Sequence, residues 1–315
     1  MSPRPRRHTD EAGPDDGDPV AEPPLLDAEL LRQLERLRFR TLTAIVGGLV
    51  GEREGRAAAA RHEFAEYRPY VPGDELRRID WNVYRRLHQL VVKVGIEDAR
   101  LSVALLVDTS RSMRVGSPSA LRAAQRLAAI LAAIALLRGD RVDVHALGDG
   151  HAQPLVGLDG PRQLALLQDE LERLPRSVGT GLADALTQYT GRGAQTDVAI
   201  LLSDAHVPRE DLERSLRLLA SAGRAAGLVH VVAADEVTIL PLGPVELRDA
   251  ESGRVIEATV DEAVAAAYAE RFAAFADGVR DLCSANGVGY VRAPSDESPL
   301  DLLLAHAAEA AISVA

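Results

Sequence analysis

The sequence predicts an α/β protein, a doubly wound and mostly parallel sheet with helices on both faces, carrying a β-hairpin appendage and preceded by a helical and extended N-terminal segment. Three observations predict it. From Leu101 onward, short apolar runs alternate with longer stretches whose apolar residues recur at helical spacing. Two of the runs, Val103 to Val107 and Val198 to Leu202, are continuously apolar, the pattern of strands buried on both faces. Both lead into an aspartate, Asp108 and Asp204, and ligands of open α/β sheets gather at the carboxyl ends of their strands.

The elements follow in order. Residues 1–24, rich in Pro, Gly, Asp and Arg without periodicity, read as a disordered tail. Residues 25–50 begin with LLDAELLRQLERLRFRTL, whose spacing predicts an amphipathic helix with Asp27 as its N-terminal cap. Residues 51–100 form a polar segment with half of the six tyrosines and the only tryptophan. Residues 101–315 carry the alternating pattern. Strands are expected at Leu101 to Val107, Arg141 to Leu147, Thr196 to Leu202 and Gly227 to Ala233. Helices are expected at Ser119 to Leu137, Gly160 to Arg173, Gly181 to Tyr189 and Arg209 to Ala222. Beyond Ala234, Val245 to Arg248 and Arg254 to Glu257 read as a β-hairpin. A helix from Asp261 to Ala285, a strand from Gly289 to Arg292 and a helix from Leu300 to Ile312 close the fold.

Composition removes several classes of function. At 315 residues and 47% hydrophobic content the chain can bury a large core. The longest apolar helical stretch, Leu127 to Leu137, falls short of the roughly 20 residues a bilayer needs, so no membrane insertion is expected. One cysteine, Cys283, rules out an internal disulfide framework and fits a cytoplasmic protein. A net charge of -11 argues against nucleic acid as a partner. Lys93 is the only lysine and follows no glycine-rich loop, so the chain has no phosphate-cradling loop of its own.

The strand ends supply the candidate chemistry. Asp108, Ser110 and Ser112 leave the first strand at alternate positions, Thr180 opens the helical segment TGLADAL, and Asp204 follows the third strand. Any one of them could simply cap a helix, a role less apt for five in this order. Small oxygen donors of this kind suit Mg²⁺, or another hard cation such as Mn²⁺ or Ca²⁺, and leave coordination positions to water or to a partner's carboxylate. Asp-x-Ser-x-Ser, then Thr, then Asp resembles the metal-ion-dependent adhesion site of von Willebrand factor A domains.

In the polar segment, Pro72-Gly73-Asp74 reads as a turn before Arg77, Arg78, Asp80 and Trp81. These residues read either as an edge hairpin covered by a buried Trp81, with Arg77 or Arg78 paired to Asp74 or Asp80, or as an arginine surface that grips an acidic partner. The segment EYRPYVPGDELRRIDW, followed by LVVKV and LLVDTSRSM, resembles bacterial domain-of-unknown-function family 58, von Willebrand A-like proteins found beside MoxR-type AAA+ ATPases. That resemblance implies a non-enzymatic module working with a MoxR-type ATPase in chaperone-like assembly.

Two other readings stay open. A strand-end aspartate with Mg²⁺ is also found in phosphatases that use a nucleophilic Asp, which would be Asp108 here. Those usually place a second Asp two positions later, where this chain has Ser110. A scaffold with a vestigial metal site is the other, since a fold does not fix function.

Overall fold

The computed structural model describes residues 24–36, 66–72, 79, 81–94, 100–175, 177–179, 181–193, 196–237, 242–250 and 253–312. The expected tail up to residue 23, and the continuation of the first helix past residue 36, lie outside them. So do Arg77, Arg78, Asp80 and Thr180.

The chain runs through α1 (Ala28–Arg36), β1 (Glu66–Pro69), α2 (Trp81–Leu87), β2 (Val91–Val94), β3 (Ser102–Asp108), α3 (Ala120–Leu137), β4 (Arg141–Gly148) and β5 (His151–Leu158). It continues through α4 (Leu164–Glu172), α5 (Leu182–Gly191), β6 (Thr196–Ser203), α6 (Arg209–Ala222), β7 (Gly223–Val232) and a single turn α7 (Ala234–Val237). A hairpin of β8 (Gly243–Arg248) and β9 (Val255–Val260), then α8 (Glu262–Ala285), β10 (Gly289–Pro294) and α9 (Pro299–Ile312), complete it.

Six strands form the central sheet in the order β10-β7-β6-β3-β4-β5, all parallel except β5. Continuous apolar sequence puts β3 at its centre. Val103, Leu105 and Val107 face one core, shared with α1, α3, α4 and α9, while Ala104 and Leu106 face a second core under α5, α6 and α8. Side chains alternate across a strand, so a strand buried on both faces must be apolar at every position. Each fully buried Leu or Val contributes about 1.5–3 kcal/mol.

The chain adds β4 and β5 on one side of β3 and then crosses over to lay down β6 and β7 on the other. The crevice between β3 and β6, at their carboxyl ends, is therefore the topological switch point where ligands of such sheets bind. Asp108 and Asp204 are both carried to it.

The structure adds a strand at residues 151–158 that the sequence pattern leaves unassigned. Asp149 and Gly150 both adopt positive φ, 50° and 74°, which turns the chain tightly at an Asp-Gly pair and returns it as the antiparallel edge strand β5. Pro154 in that strand sits beside a register shift at Val144/His145, where a missing N–H is tolerated.

The helix α3 is also longer than the apolar stretch Leu127 to Leu137. Ser119 caps it, its Oγ accepting from the Arg122 amide at 3.2 Å, so the helix has about two turns before Leu127. With 18 residues at a mean hydropathy of 1.7 it is long and apolar enough to cross a membrane by length and composition, although 78% of it is buried within this fold.

The expectation of a buried Trp81 is wrong. Trp81 begins α2 and is 56% exposed, standing edge-on to Tyr84 at 6.1 Å, and Ile79 is the apolar residue of this stretch that turns inward. β1 and β2 do pair antiparallel, with Tyr67 opposite Lys93. Trp81→Ala should therefore change stability by less than about 1 kcal/mol, as surface truncations do, and a denaturant melt would show it. A loss of several kcal/mol would mean that the indole packs in solution.

Candidate metal site at the carboxyl edge of the sheet

Register places the two halves of the site side by side. Val107 pairs with Leu202 across β3 and β6, so the next residues, Asp108 and Ser203, are neighbours at the strand ends. Asp108, Ser110, Ser112 and Asp204 are all buried, between 2% and 7% exposed. The structure thus brings four of the five candidate donors to one edge, and Thr180 lies outside the described residues.

Asp108 is held from two sides. Ser203 Oγ donates to its Oδ2 at 2.6 Å, and the Ser110 amide donates to its Oδ1 at 2.9 Å. Ser110 Oγ and Ser112 Oγ lie 3.1 Å apart. Burial, and then the nearby charge of Asp204, push the Asp108 carboxyl up from its ordinary value to about 6.

Asp204 is perturbed the other way. Burial alone would raise it, but the neighbouring His206 and Ser112 side chains outweigh burial and hold it below its ordinary value. Asp204 Oδ1 accepts from the His206 amide at 3.0 Å. Its Oδ2 is buried and has no donor at normal hydrogen-bonding geometry, the nearest basic atom being His206 Nδ1 at 3.5 Å. His206 in turn sees Glu236 Oε1 at 3.8 Å and stacks on Phe275. Burial lowers the His206 pKa, yet Asp204 and then Glu236 carry it above the ordinary value.

His230 on β7 supports this loop from behind. Its Nε2 lies 3.0 Å from the Asp204 carbonyl, which can only accept, so Nε2 carries the proton and Nδ1 accepts from the Tyr290 hydroxyl at 2.9 Å. Burial, with His206 next, depresses His230 to about 4 and keeps it neutral. Ala205, with φ 57°, takes the left-handed bend that lets this loop turn away from β6.

Ser203 and His230 are the residues that the sequence reading missed, whereas His206, two positions after Asp204, was the one histidine it placed near the site. The signal for Ser203 was available: a hydroxyl that ends an apolar strand, directly before the second aspartate, is delivered by parallel register to the first.

Do these residues fit a cation? The donor set is carboxylate and hydroxyl oxygen, which hard divalent ions prefer. Asp204 Oδ2, buried with an unfilled lone pair, and Asp108, whose charged form burial disfavours, are both groups that a positive charge would relieve. The residues fit, and Asp108, Ser110, Ser112, Thr180 and Asp204 are the ones that would hold the ion. Among the described residues no three His, Cys, Asp or Glu side chains are grouped so that they could hold a metal ion by themselves, so the hydroxyls would be necessary members of such a site.

The sheet order and its switch point between β3 and β6 define a doubly wound α/β fold of the von Willebrand A-like kind. The chain belongs to the family described as protein of unknown function DUF58, which matches residues 66–276. It is 29% identical over 253 residues to uncharacterized proteins of Mycobacterium tuberculosis and Mycobacterium bovis, across 79% of this chain and 79% of each relative. Among solved structures it is similar to an aerotolerance-related membrane protein from Bacteroides fragilis, at 18% identity and a TM-score of 0.40, over 67% of this chain and 99% of the other. It is also similar to the conserved hypothetical protein BatB from Bacteroides thetaiotaomicron, at 18% identity and a TM-score of 0.38, over 67% of this chain and 99% of that one.

The cytoplasmic location expected from the sequence is not retained, because the criterion behind it fails: α3 meets the length and hydropathy of a span that the stretch from Leu127 to Leu137 does not reach.

Proposed function

We propose that this chain is a non-enzymatic protein-interaction module that docks an acidic partner through a hard divalent cation at the β3–β6 switch point. The partner, on the family resemblance of the polar segment and the β3 loop, is a MoxR-type AAA+ ATPase engaged in chaperone-like assembly. The observation that carries the reading is the pair of buried carboxylates, Asp108 raised to about 6 beside Asp204 with its unfilled Oδ2, next to the hydroxyls of Ser110, Ser112 and Ser203.

When bound, the cation supplies positive charge that a partner's carboxylate can share. The protein's own residues orient the donors. Ser203 fixes Asp108 Oδ2, and His206 and His230 hold the Asp204 loop. A phosphatase role for Asp108 fits less well, because that oxygen already accepts a 2.6 Å hydrogen bond and the residue two positions on is Ser110 rather than an acid.

Pull-down of a cognate MoxR-type ATPase, with and without chelator, tests the reading. Asp108→Ala should abolish Mg²⁺-dependent capture while the fold survives, since a single edge residue contributes little to so large a core. Capture that persists in chelator and in Asp108→Ala would sink metal docking. Phosphate release from a generic aryl phosphate, lost in Asp108→Ala, would replace it with the enzyme reading.

A further inference from the structure

The turn between β4 and β5 reaches across the carboxyl edge and grips the loop that leads into α5. Asp149 directs its carboxylate onto that loop, where Oδ1 accepts from the backbone amides of Val178 at 3.0 Å and Gly179 at 2.8 Å. Bonds from amides to a charged oxygen are roughly twice as strong as neutral ones, and two in succession fix both peptide planes.

A second tie lies next to the first. Ser177 Oγ is 2.7 Å from Thr109 Oγ1, which itself donates to the Leu147 carbonyl at 3.0 Å. With its one proton committed, Thr109 must accept from Ser177. Thr109 stands between Asp108 and Ser110, so this bond joins the loop before α5 to the middle of the Asp-x-Ser-x-Ser loop.

Glycines make the approach possible. A Cβ on Gly148 would lie 1.8 Å from Ser177 Oγ and 2.6 Å from Thr109 Oγ1. Gly181, at φ 73°, presses on the same turn from the other side, where a Cβ would lie 2.6 Å from the Gly150 nitrogen. Gly179 and Gly181, the two neighbours of position 180, are therefore both seated on Gly148-Asp149-Gly150.

We propose that this turn is the positioning device of the metal site, with Asp149 and Ser177 as positioning residues that tie the stretch from Ser177 to Gly179 to the Asp108 loop. The inference rests on the metal reading above. Neither residue serves as a ligand. Each spares the cation the cost of ordering a loop, the role of supporting residues whose loss typically weakens metal binding about 10- to 100-fold.

Calorimetric titration of the full chain with Mg²⁺, beside thermal melts in EDTA, tests it on wild type, Asp149→Ala, Asp149→Asn and Ser177→Ala. Asp149→Ala should weaken Mg²⁺ binding by about tenfold or more while its melt in EDTA stays near that of wild type. Asp149→Asn should bind nearly as wild type, because an amide oxygen accepts the same two N–H groups without the charge. An Asn variant as weak as the Ala variant would show that charge alone acts, and overturn the positioning role. Wild-type binding by Asp149→Ala would overturn it too and leave the metal reading standing, whereas a wild-type chain that takes up no Mg²⁺ would overturn both. If Asp149→Ala melts far below wild type in EDTA, Ser177→Ala decides: weaker binding supports the device, and unchanged binding overturns it.

Discussion

Replacing Asp108 by Asn should stabilise the metal-free protein at pH 7.5 and at the same time abolish its response to Mg²⁺. The Asp108 carboxyl is buried beside Asp204, and its folded pKa is raised from 3.8 to about 6. A group that holds its proton more tightly in the folded state contributes stability that is complete below its unfolded pKa and lost as pH rises through the folded one. For the metal-free chain, that loss falls between about pH 4 and pH 6 and is on the order of 3 kcal/mol. Asparagine has no charge to bury, so the variant should escape it.

A bound cation reverses the sign. It favours the ionised carboxylates, and a ligand at a hundred times its dissociation constant stabilises the fold by about 2.7 kcal/mol. Wild type should therefore gain melting temperature from Mg²⁺ at pH 7.5 and little at pH 5, where protons occupy Asp108. Asp108→Asn should gain at neither. His206, whose pKa is raised, also loses stabilising charge as pH rises in both proteins, and less so in the variant, because the charge of Asp108 is the smallest of the contributions that raise it. An Asp108→Asn chain less stable than wild type at pH 7.5 in EDTA would show that the hydrogen bonds from Ser203 and Ser110 outweigh burial, and would remove the electrostatic argument for a cation.

Much of this site is legible in the sequence because two independent periodicities meet there. The runs Val103 to Val107 and Val198 to Leu202 announce strands without ambiguity, and parallel register then carries the residues after them to one edge. The alternate spacing of Asp108, Ser110 and Ser112 needs no tertiary information. What escaped depends on partners distant in sequence. The strand β5 is half polar and contains Pro154, and it is stabilised by pairing with β4 rather than by its own pattern. Ser203 gains its role only once Asp108 lies next to it. Trp81 was judged by residue type, yet a tryptophan at the start of a seven-residue helix follows that helix's exposed face. The extent of α3, from Ser119 to Leu137, was legible, and only its span-like length and hydropathy were missed, because Arg122, Gln125 and Arg126 interrupt the apolar run. The structure accommodates them, with Gln125 Nε2 donating to the Leu171 carbonyl at 2.6 Å and the Arg122 head reaching Glu172 at 3.6 Å.

The second large effect should come from the cover over α3. Leu25 and Leu34 are fully buried at the two ends of α1, and both belong to the core that contains α3. The Asp27 side chain caps α1 by accepting from the Leu30 amide at 2.7 Å, and the Leu26 amide donates to Gln168 of α4 at 3.1 Å. A nine-residue helix is too short to be stable alone, so α1 persists because these leucines are packed. Truncating a buried leucine to alanine costs about 2–5 kcal/mol. Leu25→Ala with Leu34→Ala should therefore cost roughly 4 kcal/mol or more, a large share of the 5–15 kcal/mol typical of a whole domain. Losing α1 would also uncover a helix of mean hydropathy 1.7, and an exposed apolar face of that kind binds hydrophobic dyes and other apolar surfaces. Urea melts together with dye fluorescence would measure both consequences. A double variant that loses under about 1 kcal/mol and binds no dye would show that α1 rests on the fold without sealing it.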